Sequence, residues 1–475
     1  MIILKKILLT KSLDLETITL VIITSFWFST IPVAFLTLTR LLRNRRIFVE
    51  TDLRRIHNDP IIIFQITTRS ATRTPVVLRG IESIIKSCQL VNYESFEISV
   101  VTDDEKDKVT LSKYNCEVVV VEKEYSTNAI KKARALQYAV EYRRRSFKNN
   151  LMQWIFHMDD ESCVTTQTIL SLLKFIRSPG PAVVSEGPIF YPLKFENANP
   201  LTAIAESIRP FTCYDCVSQM TNPPPLHMHG SNLLVRSDIE DEIGWNFGPT
   251  LAEDQLFGYK VYEKYGRKSL GWHGGILLEQ PPLNIKDHFM QRRRWVLGSL
   301  QNMDRFPIIH KFKVMFKLST YFLGFVSGIV SIFLFFQLQF PKLLELFLMQ
   351  DILSPSTFMN IGPRVGEIVN TLSAESLFDT LAHGTATDIT IGLMLIFPYI
   401  LWLFSYQMGL FLNLRYSEIV FKKRIFMHSQ TLIFSFLIGL VETFPAFYAM
   451  LEYSFGKRKD KYSKVKIYDF YVVNK

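Results

Sequence analysis

The 475-residue sequence predicts an α/β domain on a mostly parallel, doubly wound sheet, joined to α-helical transmembrane segments. Two observations carry this. Between residues 60 and 300, short runs rich in Val and Ile alternate with segments of helical spacing. Outside that stretch the apolar residues gather in blocks of about 20, long enough to cross a hydrocarbon core.

In chain order, PIIIFQITTRS (60–70) reads as a buried strand running into a polar loop, and 75–88 as a helix. FEISVVTDD (96–104) is a strand ending in acids, and CEVVVVEKE (116–124) a third strand. Residues 128–145 carry apolar positions at helical spacing. WIFHMDDES (154–162) is a fourth strand, again ending in acids, and 165–178 a helix. Sheets of this kind bind ligands at the carboxyl ends of their strands, where both acidic clusters fall.

The first apolar block, 18–42, ends in Arg40, Arg43, Arg45 and Arg46. The positive-inside rule therefore places the following domain, 57–310, in the cytosol. No cleavable signal peptide is expected, because the block runs into arginines and not into a small-residue cleavage site. A second span is expected at 318–340, after Lys311, Lys313 and Lys317, and then an external or interfacial loop at 341–388. A third span, 389–412, precedes Arg415 and Lys422–Lys423–Arg424. Residues 429–451 are transmembrane or re-entrant, with a break near Gly439 or Pro445. A full crossing there would put the basic tail, 452–475, outside, against the positive-inside rule. Glu442 in this block is expected to face a bundle interior or a cavity.

The formal net charge is +10, and most basic clusters flank the apolar blocks. That pattern points to membrane lipids as partners, not to nucleic acid. The five cysteines are scattered and are expected to be free thiols; Cys213 and Cys216 form a C-x-x-C without the second pair of a zinc ribbon.

Four polar groups carry candidate chemistry. Asp159 and Glu161 form a D-x-E at a strand end, suited to Mg²⁺ or Mn²⁺ beside a diphosphate, or else they are an acidic loop before a helix. Asp103 and Asp104 could meet a base or ribose, or be a solvated turn. Glu253 and Asp254 follow a Gly-Pro turn; Asp254 could deprotonate an acceptor hydroxyl, or both could be ordinary first-turn acids. In QRRRW (291–295) an Arg could pair with phosphate and the Trp stack on a sugar, although a cytosolic membrane interface collects the same residues.

In this order the motifs resemble the family 2 inverting glycosyltransferases with a GT-A fold. Within them the chain is similar to the membrane-bound group of cellulose and hyaluronan synthases, and above all to the egghead-type β-1,4-mannosyltransferases. The resemblance covers residues 60–300 well and the membrane part loosely. It implies that Asp103 or Asp104 touches the nucleobase, and that Asp159 and Glu161 match the D-x-D metal motif with Glu as the second acid. Asp254 would be the general base of a T/S-E-D motif, Ala252 being a departure from it. Gln291, Arg294 and Trp295 match Q-x-x-R-W, with Arg294 on the donor diphosphate and Glu253, Gln291 and Trp295 on the acceptor side. GSNLLVR (230–236) resembles a segment lining the acceptor pocket, with His229 and Asn232, and the terminal FYVVNK resembles the tail of some egghead-like members. The implied reaction transfers mannose or glucose from GDP-mannose or UDP-glucose, with Mg²⁺ or Mn²⁺, to a lipid-linked or glycolipid acceptor. A processive polysaccharide synthase and an inactive scaffold on the same fold are the alternatives.

Overall fold

The computed structural model describes residues 60–69, 73–111, 113–146, 153–339 and 386–455, with Phe35 and Thr39. The block at 18–42 apart from Phe35 and Thr39, nearly all of 341–388 and the FYVVNK tail therefore lie outside the described residues.

The first half alternates as expected: β1 (Ile61–Thr67), α1 (Thr74–Leu90), β2 (Phe96–Thr102), α2 (Glu105–Leu111), β3 (Glu117–Val120), α3 (Lys132–Arg145), β4 (Gln153–Asp159) and α4 (Thr166–Ile176). β1 and β4 are buried in their five central residues, which suits β-branched and aromatic side chains covered on both faces. α1 opens on a proline whose missing N–H costs nothing in a first turn. α4 opens on a capping box between Thr165 and Thr168. α3 starts four residues later than its spacing suggests, because Lys131 adopts φ 58° and breaks the run.

The chain continues through β5 (Val184–Glu186), β6 (Ile189–Phe190), α5 (Pro200–Ser207), α6 (Arg209–Thr221), β7 (Leu233–Arg236), α7 (Ser237–Ile243), α8 (Glu253–Tyr265), β8 (Leu270–Trp272), β9 (Leu277–Leu278) and α9 (Ile285–Asn302). The main sheet has the order β3-β2-β1-β4-β7-β5-β8. β3 to β4 are parallel, while β7 runs antiparallel to both of its neighbours. The mostly parallel expectation therefore holds for β1 to β4. β7 reverses because the chain returns to the sheet from the excursion between β5 and residue 232. One face of the sheet packs Phe64, Val100 and Phe156 against Ile81 of α1 and Leu172 of α4. Another core joins Leu136 and Val140 of α3 to Val235, Trp245 and Phe257.

Among the described residues three long helices follow: α10 (Ile308–Gln339), α11 (Ala386–Arg415) and α12 (Phe421–Phe455). α10 and α12 cross closely at glycines; a Cβ on Gly328 would sit 3.1 Å from Leu440 N, and one on Gly439 3.4 Å from Gly328 Cα. Among the described residues, no single helix is long and apolar enough to cross a membrane. The pair Phe421–Ser435 and Leu437–Phe455 passes by length and composition, but it is bent by 68°. The bend falls between Ser435 and Leu437, on the N-terminal side of Gly439. Glu442 faces protein: Arg292 on α9 grips it from Nε at 3.0 Å and Nη2 at 3.3 Å.

Candidate active site

The acids of HMDDES take three different environments. Asp159 ends β4 in register with Thr67, and its Oδ1 accepts from Lys132 Nζ. That ammonium also donates to Gly230 O at 2.7 Å. Asp160 accepts from Thr68 Oγ1 at 3.1 Å and pairs with Arg73 at 3.2 Å. Glu161 is buried, and burial together with Asp160, Asp159 and Glu279 holds its carboxyl well above the ordinary range. Glu279 is buried too and accepts from Ser162 Oγ at 3.0 Å and Ser231 Oγ at 2.5 Å. Burial first, then Asp159, raises it to about 7. This excess of carboxyl oxygens fits a hard divalent cation, whose charge would relieve the mutual repulsion. Asp159 and Glu161 would hold the ion, with phosphate oxygens and water completing its shell.

At the end of β2, Asp104 Oδ1 accepts from Lys106 N at 3.0 Å, so it caps α2. Its neighbour Asp103 pairs with Arg134 at 3.2 Å. Desolvation raises the Asp103 carboxyl against the pull of Arg134 and Arg69. The two acids that sequence leaves equivalent are thus distinct in structure.

Glu253 and Asp254 open α8. Asp254 Oδ1 accepts from Gln255 N at 2.8 Å. Burial and the neighbouring Glu253 raise Asp254 to about 7, against Lys132 and Arg294. Gly230 lies directly beside it: an added Cβ would sit 3.1 Å from Asp254 Oδ2 and 3.4 Å from Lys132 Nζ. Lys132 therefore stands between the carboxylate at the end of β4 and the carboxylate at the start of α8. Lys131, next to it, is lowered to about 8 by burial and by Arg294 and Arg69.

The Q-x-x-R-W run lies on α9, capped by Asn284, which accepts from Asp287 N at 2.9 Å. Buried Gln291 accepts from Arg292 Nη1 at 2.9 Å. Arg292 also reaches Glu206 on α5 at 2.8 Å, and Arg293 makes a two-pronged pair with Glu452 at 2.7 and 2.6 Å. Two guanidiniums lie over the Trp295 ring, Arg292 at 4.5 Å and Arg209 at 5.0 Å.

His229 and Asn232 are built into the scaffold. Asn232, at φ 54°, donates to Pro188 O at 2.8 Å and Gly275 O at 2.9 Å. The backbone N of His229 donates to Glu186 at 2.8 Å. Both residues are buried beside the candidate site. Sequence reasoning missed Lys132, Glu279 and Arg209. Only Glu279 left a signal, as an acid inside the apolar run ILLEQPP, where a carboxylate is rarely buried without partners.

The sequence profile described as "Glycosyl transferase family group 2" matches residues 154–363. The chain is 27% identical over 271 residues to Beta-1,4-mannosyltransferase egh of Drosophila melanogaster, covering 55% of this chain and 57% of that one. The same figures hold for Beta-1,4-mannosyltransferase bre-3 of Caenorhabditis elegans. A mannosyltransferase from Pyrobaculum calidifontis, solved with GDP-Man and Mn²⁺, covers 91% of this chain and 99% of its own at 11% identity and a TM-score of 0.42. Over residues 154–363 the chain therefore resembles the family 2 glycosyltransferases. Within that class it is similar to the egghead and bre-3 β-1,4-mannosyltransferases, and it spans a little over half the length of these curated relatives, 57%.

Proposed function

We propose that the chain is an inverting hexosyltransferase that moves mannose or glucose from a nucleoside diphosphate sugar to a lipid-linked or glycolipid acceptor at the cytosolic membrane face. One observation carries this reading: Lys132 joins Asp159 to the Gly230 carbonyl, immediately beside Asp254. Three segments distant in sequence thus bring a donor-side acid, a cation and a candidate base to one point. The egghead and bre-3 relatives, named as β-1,4-mannosyltransferases, favour mannose and hence GDP-mannose.

In this mechanism Asp254 takes the proton of the acceptor hydroxyl as that oxygen attacks C1 of the sugar. The new C1–O bond forms while the bond to the diphosphate breaks on the opposite face, which inverts the anomeric centre. Arg294, Lys131 and Lys132 face the negative charge that grows on the leaving diphosphate. Mg²⁺ or Mn²⁺, when bound, supplies Lewis-acid charge at that diphosphate. Asp103 meets the nucleotide, and Trp295, fixed under Arg209 and Arg292, offers an aromatic face to the acceptor.

The test is donor-dependent release of nucleoside diphosphate from the purified chain. GDP-mannose, UDP-glucose and UDP-N-acetylhexosamines are supplied with Mg²⁺ or Mn²⁺ and short-chain lipid acceptors. Release from a hexose donor that depends on acceptor is the expected result. No release from any donor overturns the proposal, and long polymer in place of a single addition overturns the lipid-acceptor part.

A further inference from the structure

A second cluster of donor atoms lies apart from the carboxylates and takes no part in the steps above. Cys216 on α6 has its Sγ 3.2 Å from His227 Nε2 and 3.2 Å from His229 Nε2. All three atoms lie within 4.8 Å of one another, and Cys216 and His229 are buried. We propose that Cys216, His227 and His229 form a zinc site.

The donor set argues for this metal. One thiolate and two imidazoles are soft to borderline ligands, which favour zinc over the Mg²⁺ or Mn²⁺ suited to carboxylates. Tetrahedral zinc, with bonds of about 2.3 Å to sulfur and about 2.0 Å to nitrogen, sets the S···N separation near 3.5 Å. The two S···N separations of 3.2 Å therefore need to open by only a few tenths of an ångström.

The surroundings prepare the site. His229 Nδ1 is 3.2 Å from Gly187 O and 3.7 Å from Glu186 Oε2. The carbonyl takes a proton on Nδ1, which leaves the Nε2 lone pair facing Cys216. Glu186 is fully buried, and its Oε1 has no hydrogen-bond partner among the described residues. Gln219 accepts from the backbone N of Leu226 at 2.8 Å and of His227 at 2.9 Å, which holds the histidine segment against α6. Gln219 Nε2 and Lys317 Nζ lie 2.9 and 2.6 Å from His227 Nδ1. Without metal, His227 thus carries its proton on Nε2, toward the sulfur. Zinc would take that place once the ring proton sits on Nδ1, which requires the flexible Lys317 side chain and the Gln219 Nε2 to withdraw from that atom while Gln219 Oε1 keeps its backbone bonds. Of the C-x-x-C pair only Cys216 belongs to the trio; Cys213 bonds the Cys216 side chain but otherwise donates to Arg209 O at 3.6 Å and Ile189 O at 3.9 Å. Water would fill the fourth position. Zinc here would fix the segment that leads into Gly230 and Asn232.

The test is elemental analysis of the purified full-length chain in detergent, followed by replacement of zinc with Co²⁺. One zinc per chain is expected, with a thiolate-to-cobalt charge-transfer band. Cys216→Ser and His229→Gln should lose the metal and the band, while Cys213→Ser keeps both. Substoichiometric zinc and no cobalt band in the unaltered chain, after purification with zinc supplied, overturns the proposal. Undiminished zinc in Cys216→Ser overturns it equally. Metal content is read without sugar transfer, so failure here is distinct from failure of the transferase reading.

Discussion

Replacing Asp254 by Asn should make the protein more stable and nearly inactive, and the two effects have one cause. Burial and Glu253 hold the folded-state carboxyl at about 7. In the unfolded chain it titrates near 3.9, so the difference of roughly 3 units corresponds to at most about 4 kcal/mol. The folded pKa is the higher one, so between about pH 4 and 7 the folded state holds a proton that the unfolded state releases. Stability is greatest below that window and is lost as pH rises through it, with no further loss above about pH 7. Asn has nearly the shape of the neutral acid, and its Oδ1 can still accept from Gln255 N. Partial solvent contact and the compensating Lys132 reduce the gain, leaving an expected rise of about 1–3 kcal/mol at pH 8 and almost none at pH 4. Loss of the base should lower kcat/KM by about 10²–10⁴-fold. In the unaltered chain, kcat/KM should climb with pH and level off near pH 7. Denaturation at the two pH values in detergent, with nucleoside diphosphate release as the activity assay, checks both halves. Equal stability change at pH 4 and 8, or activity within a few-fold of the parent, would refute the reasoning.

Three further outcomes follow from the geometry. Buried Glu240 binds Arg143 and accepts from Trp245 Nε1 at 2.7 Å; burial would raise its carboxyl, but Arg143, His157 and Trp245 outweigh that and hold it at about 2. Glu240→Gln strands Arg143 and should cost about 3–5 kcal/mol. The parent should lose this contribution as pH falls from about 4.3 toward 2, which acid denaturation monitored by tryptophan fluorescence would detect. Arg293→Glu and Glu452→Arg should each lower the melting temperature and the transfer rate, while the charge-swapped double variant recovers a coupling of about 1–3 kcal/mol; additive losses would show that the pair does not hold α12 to α9. Gly230→Ala pushes a methyl against Asp254 and Lys132 and should cut kcat/KM by tenfold or more with little change in melting temperature; unchanged kinetics would remove Gly230 from the site.

The four parallel strands were legible because burial on both faces demands continuous β-branched and aromatic runs, a local property of the chain. Asp103 and Asp159 were legible for the same reason: acids that close such runs fall at the ligand-binding edge of the sheet. Arg294 and Trp295 could be picked out by motif, but α9 could not be distinguished from a helix merely collecting membrane-interface residues. What separates the two is contact at long sequence distance. Arg292 and Arg293 find Glu442 and Glu452 on α12, about 150 residues on. Glu442, an irregular acid in an apolar block by sequence, becomes their partner. Lys132 reads as one of two lysines at a helix start, and only the fold carries its ammonium to Asp159 and Gly230. The lone C-x-x-C looked incomplete because only the fold brings His227 and His229, from the segment after α6, to Cys216. Strand periodicity and end-of-strand charge are set by each segment's own solvent exposure, so the sequence alone determined the four parallel strands and the acids that close two of them. Ion pairs, and which side chains gather around Asp254 and Cys216, depend on which segments meet, and only the tertiary structure decided them.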